Sequence, residues 1–388
     1  MSPRLSLTAL MLGNFAIGLA VLAPAGMALE LSQGLSVTVR DTGFLITAGA
    51  VVLCFGSPIT AWLTSRVDRR LLLSATLFVL TAGHLASAVA PDYFTLLAVR
   101  VLMLSVGALY TPQAAGAAAL IVAPERRASS IAYVFLGWSL ATAVGVPIVN
   151  LLAAKVGWRE TYAALAAVAL VAFALQTIYL PSGLRGAPVS LGTWGVLARN
   201  RLIVLLLLIT AINTSGQFAI ITYLSPLLAK LTGAAAETTS LFFAIFGISG
   251  FVGNVIATRV VGMLGAFKTS ALSLGSVFAG LLVWVLGEGA LALMATGVLL
   301  WGLGFAAANS MQQARLAAAA PPLAPASIAL NTSGIYVGQA AGSYLGGFLI
   351  ARDWLTTMGW MAVGFLAASL FILALTRETE GGLREREI

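Results

Sequence analysis

The sequence predicts an all-α membrane protein, with twelve transmembrane helices arranged as two pseudo-symmetric six-helix bundles. Three observations carry this expectation. Of 388 residues, 60% are hydrophobic and 9% charged, with a mean hydropathy of +1.00, whereas a soluble domain carries about a quarter charged residues. Such a chain cannot cover a water-facing surface, so its solvent is lipid, where each crossing takes about 20 apolar residues. Apolar segments of that length recur twelve times, and features of the first six return about 201 residues later. The net charge of +8 forms no basic face once these segments are set aside, so it reads as topology and not as a nucleic-acid surface.

In chain order the segments cover 5–30, 42–64, 71–90, 93–122, 128–153 and 159–181, then 201–229, 237–259, 268–287, 289–314, 326–350 and 356–376. The first, with Arg4 ahead of it and "APAG" at 23–26, imitates a signal peptide, but its apolar run continues to about residue 29 and is long enough to span. Between the second and third, "AWLTSRVDRRLLL" (61–73) concentrates Arg66, Asp68, Arg69 and Arg70. In the fifth, "GWSLATAVG" sets Gly137, Ala141 and Gly145 four apart, and Pro147 follows, removing a backbone donor and bending the helix. The eleventh repeats the spacing with Gly334, Gly338, Gly342 and Gly346, and Gly157-Trp158 returns as Gly359-Trp360. Small residues every four positions let helix backbones approach closely, either as fixed packing or as a surface on which the halves slide.

The single long connection, "SGLRGAPVSLGTWGVLARN" (182–200), divides the chain into an N-terminal bundle (1–181), a linker (182–200), a C-terminal bundle (201–376) and a tail (377–388). With the N-terminus inside, fifteen Lys and Arg lie in the cytoplasm, Arg69, Arg126 and Arg315 among them. Five lie outside: Arg40, Lys155, Arg159, Lys230 and Arg352. The positive-inside rule then puts both termini in the cytoplasm. Only three of the 21 basic residues are lysine and alanine is abundant, pointing to a bacterial source and thus to the inner membrane.

Duplicated six-helix units with a site near the midplane between them form a secondary-transporter architecture. Neutral polar residues on the first, fourth, seventh, tenth and eleventh segments are the candidates for a cavity: Asn14, Gln113, Asn213, Gln217, Asn309, Gln312, Asn331, Tyr336 and Gln339, with Phe15, Trp138 and Trp301 as apolar walls. Each can equally well serve helix–helix bonding. Charge inside a span is expensive and marks function. Arg100 is such a charge, unless it snorkels outward, and Glu30 and Asp41 are its nearest acids in level. His84 titrates in the physiological range, or is a buried, hydrogen-bonded imidazole.

These residues resemble the major facilitator superfamily, in its twelve-span drug and sugar efflux branch. Residues 61–73 are similar to the family's loop motif G-x-L-A-D-R-x-G-R-R-x-x-L, with Leu63, Arg66, Arg69, Arg70 and Leu73 in place. "APERRASSIA" (123–132), "GVP" (145–147), "GWR" (157–159), "ITYLSPLL" (221–228) and "GSYLGG" (342–347) extend the likeness over 5–376. The chain departs from the motif at Ala61, Ser65 and Asp68. The resemblance implies an efflux carrier working by alternating access. In it the loop motif (Arg66, Asp68, Arg69, Arg70) is a cytoplasmic gate, and the arginine that Arg100 matches takes part in a proton relay; Glu30 and Asp41, or else interfacial residues, and His84 are this chain's own candidates to join it.

Other classes lack their residues. His84 and Cys54 are the only histidine and cysteine, and no glycine loop ends in Gly-Lys-Ser/Thr, so metal centres, nucleophilic catalysis and ATP-driven transport are disfavoured. The chain is expected to be no enzyme and to need no cofactor. Its partners are a small neutral or amphipathic substrate, protons and the bilayer, and it works as one chain. An uncoupled facilitator or importer on the same fold, and a non-transporting membrane sensor, are the alternatives.

Overall fold

The computed structural model describes residues 3–64, 67–123, 126–185 and 192–384. Arg66, one of the expected gate residues, lies outside them, as does Ser65.

All regular structure among the described residues is helical. The first unit runs through α1 (Pro3–Gly26), α2 (Ala28–Gly34), α3 (Val39–Leu63), α4 (Arg69–Ala88), α5 (Tyr93–Gly107), α6 (Tyr110–Leu120), α7 (Arg127–Leu140), α8 (Val146–Val156) and α9 (Trp158–Tyr179). The second holds α10 (Gly192–Arg199), α11 (Arg201–Ile221), α12 (Leu224–Thr232), α13 (Ala236–Leu286), α14 (Leu291–Ala319), α15 (Ala324–Ile350) and α16 (Leu355–Arg384). The contacts divide the chain into compact units Met1–Val189 and Ser190–Ile388.

Among the described residues ten helical stretches are long and apolar enough to cross a membrane, with α5–α6 and α7–α8 each forming one of them. α13 has 51 residues, about 76 Å of helix against a hydrocarbon core of about 30 Å, so it holds two crossings. Gly265 separates them in the left-handed region, at φ 78° and ψ 162°, where a residue without Cβ is at ease. α15 is 27 residues long, enough for a crossing, and buries Asn331 and Gln339 along its length. With it the crossings number twelve.

Local chemistry fixes the ends. Asp68 caps α4 by accepting from the amides of Arg70 (2.9 Å) and Leu71 (3.2 Å). Asp92 caps α5 from Thr95 N (2.8 Å), and Asn200 caps α11 from Leu202 N (3.0 Å) and Ile203 N (3.2 Å). The connecting segment contains a helix, α10, which packs on α11 and α15 and buries Leu197.

The glycine stripes face helices of their own unit. A Cβ at Gly137 would stand 2.2 Å from the Met11 carbonyl oxygen of α1, and one at Gly342 2.2 Å from the Ser215 carbonyl oxygen of α11. Gly338 and Gly346 meet Ala211 O and Ala219 O of α11 at 2.3 and 2.6 Å in the same sense, whereas Gly334 clears its nearest atom by 3.5 Å. Ala141 and Gly145 of the first stripe form a π turn, Ala141–Gly145, immediately ahead of Pro147.

Arg315 departs from the charge reading. Counted among cytoplasmic loop cations, it is 3% exposed. Its guanidinium donates to Gln312 Oε1 (3.2 Å) and to Thr376 Oγ1 and stands 5.2 Å over the Phe267 ring. α14 simply continues five residues beyond the expected end of its segment at residue 314.

Candidate functional site

In the second unit the polar side chains follow one face of α11. Leu206, Thr210, Asn213 and Gln217 fall at i, i+4, i+7 and i+11, which lie in one row on a helix. Each is hydrogen-bonded. Gln217 Nε2 donates to Asn213 Oδ1 (2.9 Å), and the indole of Trp301, on α14, donates to Gln217 Oε1 (2.6 Å). Thr210 Oγ1 donates to Asn331 Oδ1 (2.7 Å) on α15, and Asn331 Nδ2 donates to Asn309 Oδ1 (2.8 Å) on α14. Gln312 Nε2 closes the row on the Leu206 carbonyl (3.4 Å). Six of the expected cavity residues, Asn213, Gln217, Trp301, Asn309, Gln312 and Asn331, thus belong to one ladder. Its own members are neutral donors and acceptors with no carboxylate among them, and Gln312 at one end also accepts from Arg315.

Tyr336 and Gln339 are buried in α15, and Gln339 Nε2 has no hydrogen-bond partner among the described residues. Phe246 meets the Trp301 ring edge-on, with centroids 4.9 Å apart.

The first unit is built around α1. Thr111 Oγ1 donates to Asn14 Oδ1 (2.8 Å), Asn14 Nδ2 to the Val134 carbonyl (3.1 Å) and the Trp138 indole to Thr111 Oγ1 (3.2 Å). One helical turn toward the N-terminus, the Tyr110 hydroxyl donates to Gln176 Oε1. Gly13 makes room for that hydroxyl, since a Cβ there would lie 1.7 Å from it. Gln113 is buried on the same helix as Tyr110, and Phe15 turns aside to line a small apolar pocket with Leu12, Val168 and Val171. The fourth crossing is broken between α5 and α6 at residues 108–109, beside this cluster. Pro112, which cannot donate to the residue four before it, was the sequence signal for that break. Thr111, Tyr110, Gln176 and Thr210 are partners that the sequence reading missed.

Arg100 is 1% exposed and does not snorkel. Its Nη1, Nη2 and Nε donate to the carbonyls of Ala20, Val21 and Leu45, each at 2.8 Å. The Ala20 carbonyl is the one that Pro24, lacking an N–H, leaves without its helical donor. The structure brings neither Glu30 nor Asp41 to Arg100. Asp41 instead accepts from Thr38 N (3.0 Å) and Thr38 Oγ1 (2.6 Å), while Glu30 Oε2 is buried with no partner. His84 is buried, with Nδ1 unpartnered and its ring 5.9 Å from that of Tyr162.

At the loop motif, burial raises the Asp68 carboxyl. Three backbone donors (Leu71, Gly183 and Arg70) and the charge of Arg185 outweigh that and hold it below the usual carboxylate range. Arg69 is buried, with Nε and Nη1 finding no hydrogen-bond partner among the described residues, and Arg70 Nη2 donates to the Thr177 carbonyl.

The sequence pattern of the Major Facilitator Superfamily matches residues 7–328. The chain belongs to the Major Facilitator Superfamily. It is similar to the MFS-type transporter YtbD of Bacillus subtilis, 30% identical over 379 residues that cover 95% of this chain and 94% of the relative. A protein of Pasteurella multocida named as a probable sugar efflux transporter is 26% identical over 381 residues, 97% of this chain and 93% of the relative. Among solved structures, a D-xylose–proton symporter superposes with a TM-score of 0.76 at 15% identity, over 96% of this chain and 97% of that one. This superfamily member is a multi-pass membrane transporter and not an enzyme.

Proposed function

We propose that this transporter exports a small neutral or amphipathic compound across a bacterial inner membrane. Alternating access of the bundles 1–181 and 201–376 would carry it, in exchange for protons, with both termini in the cytoplasm. The observation that carries the cargo class is the α11 ladder. Thr210, Asn213, Gln217, Asn309 and Asn331, with the Trp301 indole, offer neutral hydrogen-bonding groups and an aromatic edge. Turned toward a substrate, such groups would suit hydroxyl or carbonyl groups on an uncharged molecule and supply no counter-ion for a cation. The name of the Pasteurella relative supports outward transport of a sugar-like cargo. With the buried Arg315 set aside, the excess of fourteen basic residues over five supports the orientation.

Proton exchange follows from the family resemblance. Within it Glu30, with a buried unpartnered oxygen, is better placed to take a proton than Asp41, whose Oδ2 two bonds from Thr38 hold. Arg100 acts as a brace on α1 and α3. Each of its three guanidinium nitrogens donates to a carbonyl.

Purified protein in proteoliposomes, with an interior pH dye and gradients of a pentose, a nucleoside, a neutral aromatic drug and a lipophilic cation, tests the reading. Proton movement tied to a neutral compound, abolished in Glu30→Gln and with KM raised at least about fivefold in Gln217→Ala, is the expected result. Transport of the cation alone would overturn the cargo class, and flux without proton movement would leave a facilitator.

A further inference from the structure

The start of α4 is bonded to the far end of its unit. Asp68 Oδ1 caps the helix, as described, and its other oxygen, Oδ2, accepts from the amide of Gly183. The Arg69 amide donates to the Leu184 carbonyl at 2.9 Å. Arg70 Nη2 reaches the Thr177 carbonyl in the last turn of α9, and Arg185 attracts the Asp68 carboxylate. The Asp68–Gly183 bond joins residues 115 apart in sequence, so chain adjacency does not impose it. Gly183, at φ 84°, turns the chain beyond Leu180 back across the start of α4. Helix α9 ends at Tyr179, and water could serve the backbone groups of this exposed stretch. They pair with residues 68 and 69 instead.

On the other side, α10 begins at Gly192 and packs on α11 and α15 of the second unit. Seven Cα steps separate Arg185 from Gly192, a contour of at most about 25 Å. Counted from Leu180, where α9 stops, the contour is twelve steps, or about 43 Å.

We propose that Asp68 anchors the connecting segment to the first unit, so that the tether between the bundles starts at residue 186 and not at 180, which limits how far the bundles separate as they rock. Asp68 stands where the family's loop motif has its second glycine. A glycine has no side chain with which to cap the helix or hold the segment. The proposal rests on the reading that the two bundles move against one another.

The test separates cap from anchor. Asp68→Asn retains Oδ1 for the α4 cap and turns an amide donor toward the Gly183 N–H, where an acceptor is needed. Asp68→Ser retains a capping oxygen but has no second one for Gly183. Hydrogen exchange of full-length protein in nanodiscs should speed up by at least about tenfold over residues 180–185 in both variants, with α4 unchanged beyond its first turn. Pulsed-EPR distances between labels at Leu170→Cys and Phe371→Cys, in a Cys54→Ala background, should broaden in both. Unchanged exchange at 180–185 overturns the anchor, and faster exchange with an unaltered distance distribution overturns the limit on separation. A wild-type protein that holds one narrow distance at every pH and with every compound tried fails the rocking reading instead, and exchange still reports separately on the anchor.

Discussion

At Pro24 the ring removes the N–H that would serve the Ala20 carbonyl, and a guanidinium from another helix replaces it. Lysine keeps the charge of Arg100, but one ammonium cannot span carbonyls on both α1 and α3. Arg100→Lys is therefore expected to lose at least about 2 kcal/mol through unsatisfied buried groups, read as a lower melting temperature in detergent. A charge-only role would leave that temperature unchanged. Gly13→Ala makes the complementary case, since its Cβ would meet the Tyr110 hydroxyl that is already committed to Gln176. Overpacking of this kind costs about 1–3 kcal/mol, whereas Gly116→Ala, with nothing within 4 Å, should be silent. Asp68 gives a pH dependence. Its carboxyl is held below the ordinary range, faced by Arg185 and by the amides of Arg70, Leu71 and Gly183. Its contribution to stability is thus full above the unfolded-state pKa of about 3.9 and fades as pH falls through the lower folded value. The difference in unfolding midpoint between wild type and Asp68→Asn should shrink between pH 7 and pH 3.

Helices meet here by omitting side chains. α15 lies on α11 closely enough that Gly338, Gly342 and Gly346 face backbone carbonyls, but Gly334 does not share the constraint. Gly342→Ala should unfold at least several degrees lower than wild type, while Gly334→Ala should stay within about a degree, by thermal unfolding followed with a fluorescent probe. Equal shifts would mean that the stripe is not a packing seam. This spacing was legible in the sequence, but its partner was not: small residues report closeness without naming the neighbour, and the stripes face α1 and α11, the first crossing of each half. The break at 108–109, the π turn at Ala141–Gly145 and α10 were harder to read. Hydropathy scores composition, and a helix that shifts its hydrogen-bond register in mid-span stays equally apolar.

Over the whole molecule, composition alone dictates a bilayer protein, and a count of apolar runs finds its crossings to within a few residues at most ends. Where composition and position conflict, the structure decides. Arg315 is counted with the cytoplasmic loop cations by the charge pattern, yet α14 packs it among side chains, against Gln312 and Phe267. The polar ladder was half legible: Asn213 and Gln217 stand a turn apart on any helix, but only the fold shows that Trp301 and Asn331 complete it. Repetition brings its own asymmetry. Trp301 stands 201 residues after Arg100, so where one half commits a cation to main-chain carbonyls, the other commits an indole to a glutamine. The seam between α11 and α15 also has a genetic side. Every missense change of a glycine codon installs a residue with a Cβ, and at Gly342 any Cβ lands 2.2 Å from the Ser215 carbonyl oxygen. No conservative replacement exists there in the mutational neighbourhood, so a lineage can lose that glycine only by first drifting its seventh and eleventh crossings apart.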